Sequence, residues 1–232
     1  MSGHSKWAQI KRKKGAADVK RGKLFSRLAK QISVAARTGK NLETYVGMAK
    51  AENMPKDIIE RAIKKGTGEL GDGAQIEEVL YEAYGPNGSA FLITTLTDNR
   101  NRTVADLRAT FNKYGLTLAN SGAVQYLFDH RAIVTVPATG DADAVQLAII
   151  DAGADDVVLE DDVVVGYARP TQLDAVRQAL QAAGHIVQDA RIGYVPKLAH
   201  VVDDVTKERI LRILEVIDDL DDVESVETNA EL

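Results

Sequence analysis

The spacing of apolar residues changes once along this chain of 232 residues, at a glycine-rich stretch. From residue 23 to residue 65, large apolar side chains recur every three or four positions, which is the period of an amphipathic helix. After residue 73, they alternate with polar residues or form short runs of strand length. The stretch between, Gly66-Thr67-Gly68-Glu69-Leu70-Gly71-Asp72-Gly73, has the composition of a linker. The sequence therefore predicts a helical unit followed by α+β structure.

Three short amphipathic helices are predicted in residues 1–70, after a polar arm over residues 1–22. Pro55 suits the first turn of the third helix, and Gly39 and Gly66 are typical of positions just after a helix. The predicted helices cover about residues 23–38, 42–52 and 55–65. Each would bury its apolar face against the other two, so we expect a small bundle.

A hairpin and a helix are predicted next. Two alternating runs, at residues 76–84 and 89–97, flank Gly85-Pro86-Asn87-Gly88, which is a strong turn signal. The following pattern predicts a helix from Thr103 to Tyr114, with Thr103 and Asp106 as a capping box. Residues 123–128 alternate again and are predicted to form a strand.

Residues 131–197 show the order β-α-β-β-α-β, which is that of a ferredoxin-like unit. The last predicted helix, 206–220, and strand, 223–227, have no core of their own, so we expect them to return to residues 76–130. The predicted fold class is α+β, with an N-terminal three-helix domain followed by two ferredoxin-like α+β domains, the third inserted into the second. The predicted domains are residues 1–70, residues 71–130 together with 198–232, and residues 131–197.

Charge is strongly segregated along the chain. Residues 1–40 contain twelve basic side chains and one acidic side chain, a net charge of +11, whereas residues 71–232 have a net charge of −16. The net charge of −5 for the whole chain conceals this difference. Clustered cations are the electrostatic footprint of a protein that binds a polyanion, and the acidic part should be repelled by the same partner.

The candidate nucleic-acid contacts come from this basic end and from one later junction. Lys11 to Lys14 form a consecutive cluster, and Trp7 could stack on a base or instead anchor the arm. Two arginines follow a predicted strand where a helix N-terminus could hold a phosphate, although neighbouring polar residues there could simply cap the helix. The candidate residues are Lys6, Trp7, Lys11, Arg12, Lys13, Lys14, Lys20, Arg21, Lys23, Arg27, Lys30, Arg100 and Arg102. Lys23, Arg27, Lys30 and Arg37 follow one another at spacings of four, three and seven, which predicts that they share one face of the first helix. The alternative for this face is a solvated surface, which usually carries both signs of charge.

Other classes of function find little support in the sequence. The chain has no cysteine, its four histidines lie far apart, and the glycines of residues 66–73 match no phosphate-binding loop. We therefore expect no enzyme activity, cofactor, metal or small-molecule substrate. The sequence shows neither a membrane-spanning run nor a secretory signal, so we expect a cytoplasmic protein without a membrane partner.

Several long motifs resemble the YebC/PmpR family of probable transcriptional regulatory proteins, which also contains the mitochondrial translational activator of cytochrome c oxidase. The motifs are Gly3-His4-Ser5-Lys6-Trp7, residues 18–25, Glu52-Asn53-Met54-Pro55-Lys56-Asp57, residues 60–68, Tyr84-Gly85-Pro86 and residues 96–104. The resemblance covers essentially the whole chain and implies three domains and a cytoplasmic bacterial protein. The family usually has a longer loop where this chain has residues 38–43, which implies a shortened or shifted second helix.

The leading hypothesis is a nucleic-acid-binding regulator of gene expression, and the resemblance implies a DNA-binding transcriptional regulator. The alternative is a ribosome-associated RNA-binding translation factor that contacts ribosomal RNA. The absence of a recognisable helix-turn-helix favours RNA slightly over duplex DNA. A hypothesis of another class is a protein–protein adaptor with a basic tail.

Overall fold

The computed structural model describes residues 18–71 and 75–232. Its first three helices are α1 (Asp18–Thr38), α2 (Leu42–Ala51) and α3 (Lys56–Thr67). They bury one shared core, formed by Leu28, Ile32, Ala49, Met54, Ile59 and Ala62. The predicted helical bundle is therefore confirmed. Helix α1 begins five residues earlier than predicted, at Asp18. The added residues include the good helix formers Lys20 and Arg21, and the single Gly22 costs only about 1 kcal/mol.

The remaining elements are, in chain order, β1 (Glu77–Tyr84), β2 (Ala90–Thr97), α4 (Arg100–Tyr114), β3 (Thr117–Leu118), β4 (Phe128–Pro137), α5 (Ala142–Asp151), β5 (Asp156–Glu160), β6 (Val163–Ala168), α6 (Leu173–Ala182), β7 (Asp189–Pro196), α7 (Asp204–Asp218) and β8 (Val223–Thr228). The strands form two four-stranded sheets with the orders β3-β1-β2-β8 and β5-β6-β4-β7. All neighbouring strands are antiparallel.

The last strand returns to the first sheet, where β8 pairs with β2. Helices α4 and α7 supply the apolar side chains that cover this sheet, among them Leu107, Phe111, Ile210 and Ile213. The second sheet is built from the segment between β3 and β8 and has the predicted β-α-β-β-α-β order. The predicted α+β fold, with one unit inserted into another, is confirmed, whereas the domain boundaries at residues 130 and 197 stay predictions.

The predicted strand over residues 123–128 is wrong. Residues Gln125–Leu127 form a 3-10 turn, and the third strand of the sheet is the short β3. The cause is Glu82, whose buried carboxylate accepts the backbone N–H groups of Gly122, Val124 and Gln125 at 2.5, 2.6 and 2.8 Å. N–H groups that converge on one carboxylate cannot take part in a strand ladder.

The helical part also contacts the second sheet unit through α2 and α6. The hydroxyl of Thr44 donates a hydrogen bond to Asp174 and accepts one from Arg177 at 3.1 Å. Gln178 donates to Glu43 at 2.8 Å. These bonds hold α2 against α6. Among the helices of residues 18–71 and 75–232, none is both long and apolar enough to cross a membrane.

Candidate nucleic-acid interface

The structure describes the side chains of five of the thirteen predicted contact residues. Lys20 and Arg21 lie at the start of α1. Lys6, Trp7, Lys11, Arg12, Lys13 and Lys14 lie outside the described residues. The five that can be placed are Lys23, Arg27 and Lys30 on α1, and Arg100 and Arg102 on α4.

Lys23, Arg27 and Lys30 lie on one face of α1, and this face contacts the acidic turn, which we define as residues 218–222 between α7 and β8. Lys23 Nζ donates to the carbonyl oxygen of Asp219 at 2.7 Å and to its carboxylate at 3.0 Å. Lys30 Nζ donates to the carbonyl oxygen of Asp221 at 2.9 Å. The basic face of α1 is therefore held by a segment from the opposite end of the chain.

Arg27 lies between the two lysines on α1 and contacts the chain at both ends of the acidic turn. One of its terminal nitrogens lies 3.3 Å from the carbonyl oxygen of Asp218 and 3.2 Å from that of Val223. The carbonyls at the end of a helix lack intrahelical donors and carry partial negative charge, so cations are stabilising beside them. Helix α7 ends at Asp218. The α1 cations thus cap the C-terminus of α7 as well as pairing with its acidic residues.

The carboxylate of Asp222 contacts three other elements, α1, α4 and β2. Its oxygens accept hydrogen bonds from Lys30 Nζ at 2.8 Å, from the Arg102 guanidinium at 2.8–3.2 Å, and from the hydroxyls of Thr97 and Thr103 at 3.1 and 2.9 Å. Only 6% of the Asp222 side chain is exposed. A single buried carboxylate of the acidic turn is therefore hydrogen-bonded to α1, α4 and β2 at once.

The environment of Asp222 lowers its pKa. Burial by itself raises this pKa, but the hydrogen bonds that the carboxylate accepts, first from Lys30 and then from Arg102, outweigh burial and lower the pKa to about 2 from a usual value of 3.8. The carboxylate is thus charged at every pH at which the protein is expected to work.

A lowered pKa predicts a defined dependence of stability on pH. Because the folded protein binds the Asp222 proton less readily than the unfolded chain does, this group stabilises the fold above pH about 4, and the contribution disappears as the pH falls from about 4 to about 2. We expect the difference in unfolding free energy between the native chain and Asp222→Asn to shrink over this range in urea titrations. The lowest pH of this test, about pH 2, lies about two units below the usual pKa of a carboxylate. A difference in unfolding free energy that stays constant from about pH 5 to about pH 2 would contradict the lowered pKa of Asp222.

Arg100 and Arg102 also face carboxylates. The guanidinium of Arg100 forms a two-pronged pair with Glu77, one nitrogen lying 2.6 Å from Glu77 Oε2, and lowers the pKa of Glu77. Arg102 contacts Asp98 at 3.2 Å in addition to Asp222. A phosphate contact at this junction stays a prediction, since a phosphate would have to replace carboxylates that are already present.

The start of α4 differs from the predicted capping box. The helix begins at Arg100, and the cap is Asn99, whose side chain accepts the Arg102 N–H at 3.1 Å. Thr103 lies within the helix, where its hydroxyl donates to the Asp222 carboxylate. The earlier start reflects the short polar side chain of Asn99, which is among the best N-cap residues.

Sequence reasoning missed Asp222 altogether. The residue lies in Asp218-Asp219-Leu220-Asp221-Asp222, which by itself looks like a solvated acidic turn. The available signal was the opposite charge on α1, but about 190 residues separate the two segments and only the tertiary fold brings them together. Within residues 18–71 and 75–232, no three histidine or acidic side chains are grouped so as to hold a metal ion.

Two family models match the chain. The model of the TACO1/YebC protein N-terminal domain matches residues 5–69, and the model of the TACO1/YebC second and third domain matches residues 76–230. The boundary between the two matches falls at the linker between α3 and β1.

Relatives named "Probable transcriptional regulatory protein" are similar over most of their length. One from Desulfotalea psychrophila is 50% identical, covering 90% of this chain and 86% of its own. One from Dehalococcoides mccartyi is 45% identical, covering 100% of this chain and 95% of its own. A crystal structure of a conserved hypothetical protein from Aquifex aeolicus superposes with a TM-score of 0.86 at 39% identity, covering 92% of this chain and 91% of that one.

Proposed function

Because the chain belongs to the TACO1/YebC family, whose two models together match most of its length, we propose that it is a non-enzymatic regulator of gene expression that binds duplex DNA. The names of its relatives describe transcriptional regulation and support DNA over RNA as the partner. The proposal includes no cofactor and no small-molecule substrate.

The observation that carries the proposal is the segregation of charge. Residues 1–40 have a net charge of +11, whereas residues 71–232 have a net charge of −16. Each phosphate that a cation neutralises releases counterions, so the basic end can supply affinity for DNA that falls steeply with salt. The acidic part is repelled by the same backbone, which would orient the protein with its N-terminal part towards the DNA.

The contacts of α1 divide the basic end into two parts. Lys23, Arg27 and Lys30 already lie against the acidic turn, so in this proposal they fix the helical part to the rest of the protein. The cations of residues 6–14 then provide the main contact with DNA. This division explains how one helix face can be basic and still contribute less to DNA affinity than the arm does.

The arm is tested by reversing its charge. In the variant with Lys11, Arg12, Lys13 and Lys14 all changed to Glu, we expect the affinity for a duplex of about 20 base pairs to fall at least about 100-fold near 0.15 M salt. Fluorescence anisotropy measures the affinity, and circular dichroism verifies that the helical content is unchanged. An unchanged affinity would rule out the arm as the main contact.

A competition between partners tests the identity of the polymer. Labelled protein is offered duplex DNA and purified ribosomes near 0.15 M salt, about the physiological ionic strength. Preferential capture by DNA supports the proposal. Preferential capture by ribosomes would replace it with the translational hypothesis, and binding in extracts that survives nuclease treatment would favour the protein adaptor.

A further inference from the structure

We propose that the exposed face of α3, together with the last turn of α1, is a second contact for the phosphate backbone of duplex DNA. This basic patch consists of Arg61, Lys64 and Lys65 on α3 and Arg37 and Lys40 at the end of α1. The inference rests on the proposed function. It also gives a role to the motif of residues 60–68, to which none of the contacts described above assigns a role.

The spacing of the α3 cations places them side by side. Lys64 and Lys65 are three and four residues after Arg61, so the Cβ atom of each lies about 5–6 Å from that of Arg61 on one side of the helix. The opposite side buries Ile59, Ala62 and Gly66 against α1. Arg61 and Lys64 are exposed and Lys65 is partly exposed. The patch therefore points away from the core and towards solvent.

The two helices that carry the basic patch, α3 and α1, pack closely against each other. Gly66 lies so near the Ser33 carbonyl and Ala36 that no side chain fits between α3 and α1. The last turn of α3 thus lies beside the C-terminal part of α1. Arg37, in the last turn of α1, and Lys40, two residues after that helix ends, are both exposed. Two acidic residues also lie on this side of α3. Asp57, four residues before Arg61, lies in the first turn, where it interacts favourably with the helix dipole. Glu60, four residues before Lys64, pairs with Lys56 at 3.4 Å.

These cations differ from those of α1 in their partners. Among the described residues, no carboxylate oxygen lies within 4.0 Å of the charged nitrogens of Arg61, Lys64 or Lys65. By contrast, Lys23, Arg27 and Lys30 are each paired. A paired cation must lose its carboxylate before it meets a phosphate, whereas an exposed unpaired cation gives up only water. The α3 cations can therefore meet a phosphate without first losing a carboxylate partner, unlike Lys23, Arg27 and Lys30.

The test neutralises the α3 cations and leaves the arm intact. The variant Arg61→Gln, Lys64→Gln, Lys65→Gln keeps good helix formers at two exposed positions and one partly exposed position, so the helical content should not change. The control variant Arg108→Gln, Lys113→Gln, Arg212→Gln removes the same charge from exposed positions of α4 and α7. Of these three, Arg212 has a carboxylate partner, the exposed Glu208 at 3.6 Å. Both are titrated with a duplex of about 20 base pairs at several salt concentrations by fluorescence anisotropy.

We expect the α3 variant to bind at least about tenfold more weakly near 0.15 M salt, and its logarithmic salt slope to fall by about 2–3 because up to three phosphate contacts are lost. The control should show a much smaller change in affinity. An α3 variant that matches the control overturns the inference. If the native protein itself fails to bind the duplex, the proposed function fails instead. If only ribosomes reveal the difference between the variants, the patch serves RNA and the duplex assignment is wrong.

Discussion

Replacing Asp222 by asparagine is expected to lower the free energy of unfolding by about 3 kcal/mol. The substitution keeps the size of the side chain and removes only its charge. Lys30 and Arg102 would then face a neutral amide in a site where 6% of the Asp222 side chain is exposed. Removing one member of a buried ion pair costs this much because the remaining charges lose their counterion without regaining full hydration.

The loss should affect the attachment of the helical part first. Asp222 is contacted by α1 through Lys30 and by α4 through Arg102. The pair of Lys23 with Asp219 is largely exposed and contributes little. The pair of Arg27 with Asp218 is only partly buried and does not contact α4, so it cannot replace Asp222. We therefore expect limited proteolysis of Asp222→Asn to release the helical part sooner than in the native chain.

Glu77→Gln is the matched control for this prediction. It removes a carboxylate from a second arginine of the same helix, Arg100, but the Glu77 side chain is 35% exposed and that of Arg100 is 61% exposed. We expect little change in urea-induced unfolding followed by circular dichroism. Equal losses for Asp222→Asn and Glu77→Gln would show that burial at Asp222 has no special effect, contrary to the structure.

The sequence predicted the helices and the inserted ferredoxin-like unit well because both depend on local periodicity. The apolar spacing of α1 and α3 and the β-α-β-β-α-β order of residues 131–197 need no knowledge of distant contacts. The strand predicted at residues 123–128 failed for the opposite reason. A buried carboxylate from β1, Glu82, gathers the backbone N–H groups of this segment, and no local pattern reveals such a partner.

The candidate site shows the same division. Charge segregation indicated a polyanion-binding end, and helical spacing placed Lys23, Arg27 and Lys30 on one face of α1. The sequence did not reveal that the acidic turn covers this face, because the two segments are separated by nearly the whole chain. It also gave no weight to Arg61, Lys64 and Lys65, since residues 41–70 contain equal numbers of acidic and basic residues. Their exposure becomes apparent only when the helix is packed.

Gly66→Ala is expected to destabilise the helical part by about 2 kcal/mol, although alanine is normally the better helix residue. A Cβ at this position would meet the Ser33 carbonyl oxygen and the Cβ of Ala36. The carbonyl belongs to the backbone of α1, so no side-chain rotation relieves the contact and α3 must move away. Overpacking of this kind costs about 1–3 kcal/mol or somewhat more, and it exceeds the gain of about 1 kcal/mol in helix propensity.

Gly22→Ala provides the control in the same helical part. Gly22 lies in α1, and within the described part of the chain no atom beyond its chain neighbours and its own helix backbone lies within 4 Å of an added Cβ. Alanine there should therefore stabilise the protein by about 0.5–1 kcal/mol. The two glycine-to-alanine variants should thus shift the urea midpoint in opposite directions. Equal shifts would mean that α1 and α3 are not in close contact. Since the basic patch requires that contact, Gly66→Ala should also weaken binding to duplex DNA while leaving the charge of the protein unchanged.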